Sequence, residues 1–316
     1  MYVLVTARMK TELREQLQGQ YPDVTFAFKY PIQEAVPHLP KADVIITYGE
    51  DLTNDHIEKA ENLKWIMVVS AGLDQMPFEK IVEKDILVTN ARGIHTIQMS
   101  EYVIGMLLNV YRNIPAYREN QKQHVWDRTI KIEEITGRTM LVVGTGAIGQ
   151  ETARLAKAFN MKTIGVSRTG EFKDHFDKCY KNEEIERLLP EADFVINVLP
   201  WTDATESFFT MKHFDLMSEE AVFLNMGRGT TVVEADLIDA LKQEKIRHAI
   251  LDVFEEEPLD ENSPLWELNN CTITPHNSAI TKNYMPRALA IFKKNMNQFL
   301  KGGQPSVNVI DPKRGY

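Results

Sequence analysis

Three side chains in the second half of the chain have the types and placement of a proton-transfer site. Arg228 lies in "LNMGRGTTVVEADL", Glu257 in "AILDVFEEEPL" and His276 in "TITPHNSA". Each sits at or just after a short apolar run that reads as a β-strand. Ligands of open α/β sheets bind beyond the carboxyl ends of strands, so the three could converge in one crevice. Each has a job if the substrate is a small 2-keto or 2-hydroxy acid. Hydride addition to a ketone leaves charge on its oxygen, and histidine, which titrates near neutrality, is suited to give the balancing proton. A carboxylate on the other ring nitrogen would orient the imidazole and favour its charged form; Glu257 is the candidate. Arg228 could grip a substrate carboxylate and polarise the keto oxygen. Taken singly, each has a plainer reading: a structural histidine, a solvated acidic loop at 255–257, a loop arginine between two glycines.

Upstream, "LVVGTGAIGQETARLA" places Gly144, Gly146 and Gly149 in the G-x-G-x-x-G spacing, after an apolar strand and at the start of a helix. That context is what gives the pattern weight. Gly144 permits a tight turn, Gly146 lets a pyrophosphate approach the backbone, and Gly149 lets helix and strand pack closely. The N–H groups of Ala147 and Ile148 would face the pyrophosphate at the positive end of the helix. About 20 residues on, at the end of the next strand, an acidic residue would accept hydrogen bonds from a free ribose 2′-hydroxyl. Here "GVSRTG" puts Arg168 nineteen residues after Gly149, between Ser167 and Thr169. A guanidinium pairs with a 2′-phosphate through a planar fork, and two hydroxyls add donors. The nucleotide this favours is NADP over NAD; the plainer reading of Arg168 is a solvated surface charge.

These residues need a scaffold of alternating strands and helices. In the first 90 residues, "YVLVTA", "TFAFKY", "ADVIITYG", "LKWIMVVSAG" and "ILVTNARG" read as strands, and "MKTELREQLQGQ" and "TNDHIEKAENL" as helices, the second capped by Thr53 or Asn54. Residues 95–126 have helical length and spacing, with Pro115 placed to kink or break them. Six more strands follow: "TMLVVGTG", "MKTIGVS", "ADFVINVLP", "AVFLNMG", "HAILDVF" and "CTITPH". A last helix over "TKNYMPRALAIFKKNMNQFLKGG" should stop at Gly302 and Gly303. Such alternation predicts mostly parallel sheets faced by helices.

The 316 residues suit two domains. A net charge of −9 argues against a nucleic-acid surface, which would need a basic stripe, but leaves room for small anions held by local arginines. No apolar run reaches the roughly 18 residues that span a bilayer, and the N-terminal residues read as a β-strand, so a cytoplasmic protein is expected. Cys179 and Cys271 are isolated, and the scattered histidines lack ligand spacing, so no metal site is expected.

Together these motifs resemble the D-isomer-specific 2-hydroxyacid dehydrogenases along nearly the whole chain. The resemblance rests on "GRTMLVVGTGAIG", "ADFVINVLPWTDAT", "LNMGRGTTVVEADLIDAL", "AILDVFEEEPL" and "SPLWELNNCTITPHNSA", on the 29-residue step from Arg228 to Glu257, and on the glutamate directly before Pro258. It implies an α/β architecture of two Rossmann-like or flavodoxin-like domains with parallel sheets and a cleft between them. The substrate-binding domain would be discontinuous, residues 1–95 plus 285–316, around a dinucleotide-binding domain at 96–284. The helix from about 96 would be a hinge and part of a homodimer interface. Arg228, Glu257 and His276 would form the catalytic set, and N–H groups of Ala71 and Gly72 would help bind the substrate carboxylate. Leu199, Met226 and Asp252 would lie along the cofactor, with Asp252 holding the nicotinamide carboxamide. Arg168 departs from the acidic residue of many members and draws the chain toward the glyoxylate/hydroxypyruvate reductase branch, where the reaction runs as NADPH-dependent reduction. The residues that would size the substrate pocket, around Tyr48, Gly49 and Trp126, match no single branch. Two rivals remain at this stage. A dinucleotide-sensing, corepressor-like binding module could use the same fold. Formate oxidation is the other, and the resemblance would then lead one to expect glutamine in place of Glu257.

Overall fold

A computed structural model describes residues 1–70, 72–73 and 75–312 of the chain. Two compact units emerge. One comprises residues 1–95 together with those from Thr281 on, the other Thr96–Ile280.

The first unit holds five strands: β1 Tyr2–Val5, β2 Thr25–Phe28, β3 Val44–Thr47, β4 Trp65–Val68 and β5 Leu87–Asn90. They pair in parallel in the order β2-β1-β3-β4-β5. That is the flavodoxin-like order. β1, β3 and β4 are apolar at nearly every position because parallel sheets are covered on both faces. Val3, Val44, Ile46, Trp65 and Met67 point into one core, and Leu4, Ile45, Ile66 and Val68 into the other. The first core is completed from the far end of the chain. Helix Tyr284–Phe299 contributes Ala288, Leu289, Phe292 and Met296, and Phe292 stacks on Trp65 with ring centroids 5.3 Å apart. Pro286 is harmless there because it falls in the first helical turn, where N–H groups lack intrahelical partners. The helix ends as expected, Gly302 taking a φ of +78°.

The second unit holds seven parallel strands: β6 Thr139–Val143, β7 Lys162–Ser167, β8 Lys178–Lys181, β9 Phe194–Asn197, β10 Val222–Asn225, β11 His248–Leu251 and β12 Cys271–Ile273. Their order is β12-β11-β10-β9-β6-β7-β8. Renumbered within the unit this is 3-2-1-4-5-6 with a seventh strand added, the dinucleotide-binding order. β8 is an addition to the six strands expected: "KCYK" is short, charged at both ends and at the sheet edge, so it carries little apolar signal.

The long helical segment divides. Thr96–Tyr111 and Ile114–Lys122 are separate helices, broken at Asn113, whose φ is +51°. Pro115 does not kink a continuous helix; it sits within the first two positions of the second one, where proline's fixed φ is favourable. Among the described residues, no helix is long and apolar enough to cross a membrane.

Candidate active site

The glycine turn lies where the strand order of the second unit reverses, since β6 pairs with β7 on one side and β9 on the other. Gly144 has a φ of +110° and donates its N–H to the Val166 carbonyl at 2.8 Å. A Cβ there would stand 2.9 Å from the Val198 carbonyl oxygen. At Gly149 a Cβ would overlap the Gly144 carbonyl oxygen, a backbone atom that cannot swing aside. This glycine lets helix Ala147–Ala158 start directly against β6. Gly146, the N-cap, is different: a Cβ there would meet nothing within 4 Å, and no side chain caps the helix. Open space over uncapped N–H groups of Ala147 and Ile148 suits a phosphate, so these residues fit a dinucleotide.

β7 ends at Ser167, and the next turn is built by its own hydroxyls. Ser167 Oγ accepts from Gly170 N at 3.2 Å, and Thr169 Oγ1 from Glu171 N at 3.4 Å. Lys173 is paired with Glu171 at 3.2 Å. Arg168 is exposed at the tip, with no hydrogen bond or ion pair among the described residues. Its guanidinium is available to an anion.

The three chemical residues are positioned by contacts at the strand ends. His276 Nδ1 lies 2.7 Å from Glu257 Oε2, and Glu257 Oε1 accepts from Phe254 N at 3.1 Å. Both carboxylate oxygens are thus used, one to hold the ring and one to hold the glutamate's own turn. The side chains are 49% and 35% exposed, so the pair is open to solvent on the His276 side. The loop that carries Arg228 packs against this turn because of its glycines. A Cβ at Gly229 would overlap the Phe254 carbonyl, and one at Gly227 would overlap the Leu199 carbonyl oxygen. The strand-end loop threads between the 198–199 and 254–255 segments, which only glycines on both sides of Arg228 allow. Arg228 Nη1 donates to the Gly227 carbonyl at 2.9 Å, which turns the guanidinium back over its own loop.

A buried amide network underlies that loop and was not anticipated. Asn197 and Asn225 close β9 and β10 at the same register. Asn197 Nδ2 donates to Asn225 Oδ1 at 3.0 Å and to Thr231 Oγ1 at 2.7 Å, and its Oδ1 accepts from Leu199 N at 3.2 Å. Asn225 Oδ1 accepts from Gly227 N, and its Nδ2 donates to the Arg228 carbonyl, both at 3.2 Å. Thr231 Oγ1 donates to the same carbonyl at 2.6 Å. The signal was present in "FVIN" and "VFLN": a polar amide closing two apolar runs.

The residues expected along the cofactor are placed differently from one another. Leu199 and Met226 are packed into the cores on opposite faces of the sheet, so any contact with a nucleotide falls to their main chain. Asp252 is fully buried, and its carboxylate accepts from Asn277 N at 2.9 Å, Ser278 N at 3.0 Å and Thr274 Oγ1 at 2.5 Å. It organises the turn that carries His276. In the first unit, Gly72 follows β4, its carbonyl 2.9 Å from Ser70 Oγ. Ala71 lies outside the described residues. Tyr48 and Gly49 follow β3, where Gly49 has a φ of +91°. Trp126, in the second unit, is 92% exposed.

Comparison with known proteins identifies the family. Residues 104–278 match the family described as D-isomer specific 2-hydroxyacid dehydrogenase, NAD binding domain. A D-3-phosphoglycerate dehydrogenase of Methanocaldococcus jannaschii is 36% identical over 288 residues, 88% of this chain and 53% of that protein, so the chain spans about half its length. A D-isomer specific 2-hydroxyacid dehydrogenase family protein from Aeromonas salmonicida superposes with a TM-score of 0.89 at 36% identity, over 98% of this chain and 99% of that one. An NADPH-dependent glyoxylate/hydroxypyruvate reductase from Sinorhizobium meliloti, solved with NADP and sulfate, superposes with a TM-score of 0.80 at 28% identity, over 100% and 99%. A family match over residues 104–278 and a 36% identical structure that superposes along nearly the whole chain show the family: the chain belongs to the D-isomer specific 2-hydroxyacid dehydrogenase family and is an oxidoreductase of that class.

Proposed function

We propose that the protein reduces small 2-keto acids of the glyoxylate and hydroxypyruvate type to D-2-hydroxy acids, using NADPH in preference to NADH. The observation that carries the reading is the 2.7 Å contact between His276 Nδ1 and Glu257 Oε2, on the same unit as the glycine turn and beside the Arg228 loop. A reduced nicotinamide, when bound, supplies the hydride. With Nδ1–H directed at Glu257, Nε2 is the nitrogen that gives a proton to the substrate oxygen as C=O becomes C–O–H. The ring ends neutral, still held by Glu257. Arg228 binds the carboxylate and polarises the keto oxygen. The family resemblance adds main-chain N–H groups of Gly72, and of Ala71 outside the described residues, as proposed contacts of the carboxylate.

Preference for NADPH is supported by the unpaired Arg168 at the end of β7 and by likeness to the NADPH-dependent Sinorhizobium reductase. Asp252 serves the nicotinamide end chiefly by shaping the 274–278 turn. A homodimer is part of the same proposal: Ile97, Ile114, Tyr117, Val125, Trp126 and Ile132 expose apolar surface along one segment. Sedimentation velocity reads that directly.

The test is initial rates at saturating glyoxylate, hydroxypyruvate and pyruvate, with NADPH and NADH titrated in parallel. A higher kcat/KM with NADPH on at least one acid is expected. Preference for NADH would remove the role of Arg168. No turnover across a broad panel of 2-keto acids, with tight nucleotide binding retained, would replace the enzyme with a dinucleotide-sensing module.

A further inference from the structure

His276 adopts a φ of +48°, a left-handed backbone region that residues bearing a Cβ occupy uncommonly, and its neighbours hold it there through a set of hydrogen bonds. We propose that Tyr102, on helix Thr96–Tyr111, is a positioning residue for His276, acting through Thr274 and Asp252. This rests on the proposed role of His276 in proton transfer.

The His276 N–H is shared between the Asp252 carbonyl at 2.9 Å and the Thr274 carbonyl at 3.0 Å. The following two N–H groups, of Asn277 and Ser278, go to the two carboxylate oxygens of Asp252. Asp252 therefore dictates the path of the chain on both sides of the histidine, and Thr274 Oγ1 bonds the same carboxylate. A hydroxyl has one proton. That of Thr274 is committed to Asp252, so its oxygen is an acceptor, and Tyr102 Oη, 2.7 Å away, is the donor. Burial pushes the Tyr102 phenol up, the main influence, while its bond to Thr274 works the other way; the group stays protonated and can donate throughout the neutral range.

A second contact comes from the same helix face. Gln98, one turn before Tyr102, donates its Nε2 to the Ala279 carbonyl at 3.0 Å. The helix thus holds the His276 loop near both ends, at Thr274 and at Ala279. It is itself anchored by Met99, Val103, Ile104 and Leu107 in the core under β6, β9 and β10. The rigid partner is the helix and the dependent one is the loop.

The experiment uses the full chain and the variants Tyr102→Phe, Thr274→Val and Thr274→Ser. Two quantities are read: kcat and KM with glyoxylate and NADPH, and the ring Cε1–H resonance of His276, assigned with His276→Asn. Tyr102→Phe should lower kcat about fivefold or more, the rate equivalent of one hydrogen bond, with KM for NADPH little changed and the His276 resonance moved or broadened. Thr274→Val should do the same more strongly, and Thr274→Ser, which keeps the hydroxyl, should recover most of the loss. Should Thr274→Val not fold, Tyr102→Phe decides. Wild-type kcat and an unmoved His276 resonance in Tyr102→Phe would overturn the proposal, as would a loss confined to melting temperature. A wild-type chain that turns over no keto acid would defeat the proposed function, and the His276 resonance would still decide the positioning.

Discussion

His248 opens β11, the strand that leads to Asp252 and on to Glu257, and its Nε2 lies 2.8 Å from Thr272 Oγ1 on β12. Burial, with Arg247 adding to it, pushes this imidazole down from 6.5 to about 4. In the unfolded chain a histidine titrates near 6.5. Between those values the unfolded chain takes up a proton that the native fold refuses. The contribution to stability is therefore complete above pH 6.5 and is lost as pH falls toward 4. At pH 5 the unfolded histidine gains about one and a half decades of proton binding over the native one, which is about 2 kcal/mol. The perturbation is His248→Gln, which leaves a polar end for Thr272 but nothing that titrates. Urea unfolding of wild type and variant would be followed by far-UV circular dichroism at pH 7.5 and pH 5.0. Groups common to both proteins cancel in the comparison, including Asp177, held low by its bond to Lys157. The wild type should lose about 2 kcal/mol more than the variant between the two pH values. An equal loss in both would show that His248 accepts its proton within the fold, and the reasoning from burial would be wrong.

Three further outcomes are expected. Arg168→Asp should raise KM for NADPH about tenfold or more and leave NADH binding unchanged or improved, read by parallel titration. Gly149→Ala should cost about 1–3 kcal/mol of stability and weaken nucleotide binding, because the new methyl group meets a backbone carbonyl; an unchanged melting temperature would contradict the packing of that helix. His276→Ala should cut kcat by about 10²–10⁴ while NADPH affinity, read by fluorescence titration, stays within about twofold. Intact turnover in that variant would remove the proton-donor role.

What could be read in advance follows from where the signal lives. Eleven strands are legible because parallel strands covered on both faces are apolar runs closed by Gly, Pro or Asp, as in "DVIITYG" and "TMLVVGTG". The glycine turn is legible because its requirement is local: Gly149 must lie five residues after Gly144 for the two backbones to touch. β8 escapes because an exposed edge strand needs no apolar run. The break falls at Asn113, two residues before Pro115, because proline is accommodated in the first turn of the second helix and the reversal takes place ahead of it. The support beneath the site was hidden for another reason. Asn197 and Asn225 are 28 residues apart and meet only through strand register, and Asp252 is reached by a threonine at a strand end that is itself bonded to a tyrosine from a helix far along the chain. Single residues with a chemical identity announce themselves; their hydrogen-bond partners are chosen by topology.

The discontinuity of the first unit sets an order of events during synthesis. Its five strands leave the ribosome before the second unit, but one face of their sheet is covered by Ala288, Leu289, Phe292 and Met296, which are made after it. At roughly 5–20 residues per second, about 10–40 s separate the end of β5 from the helix that shields Trp65. The second unit, residues 96–280, is complete within that interval and can fold while the earlier one waits. Of the two units, the one begun earlier is thus finished later, with an apolar sheet face in need of protection meanwhile, and a chain cut short before Tyr284 would keep that face bare.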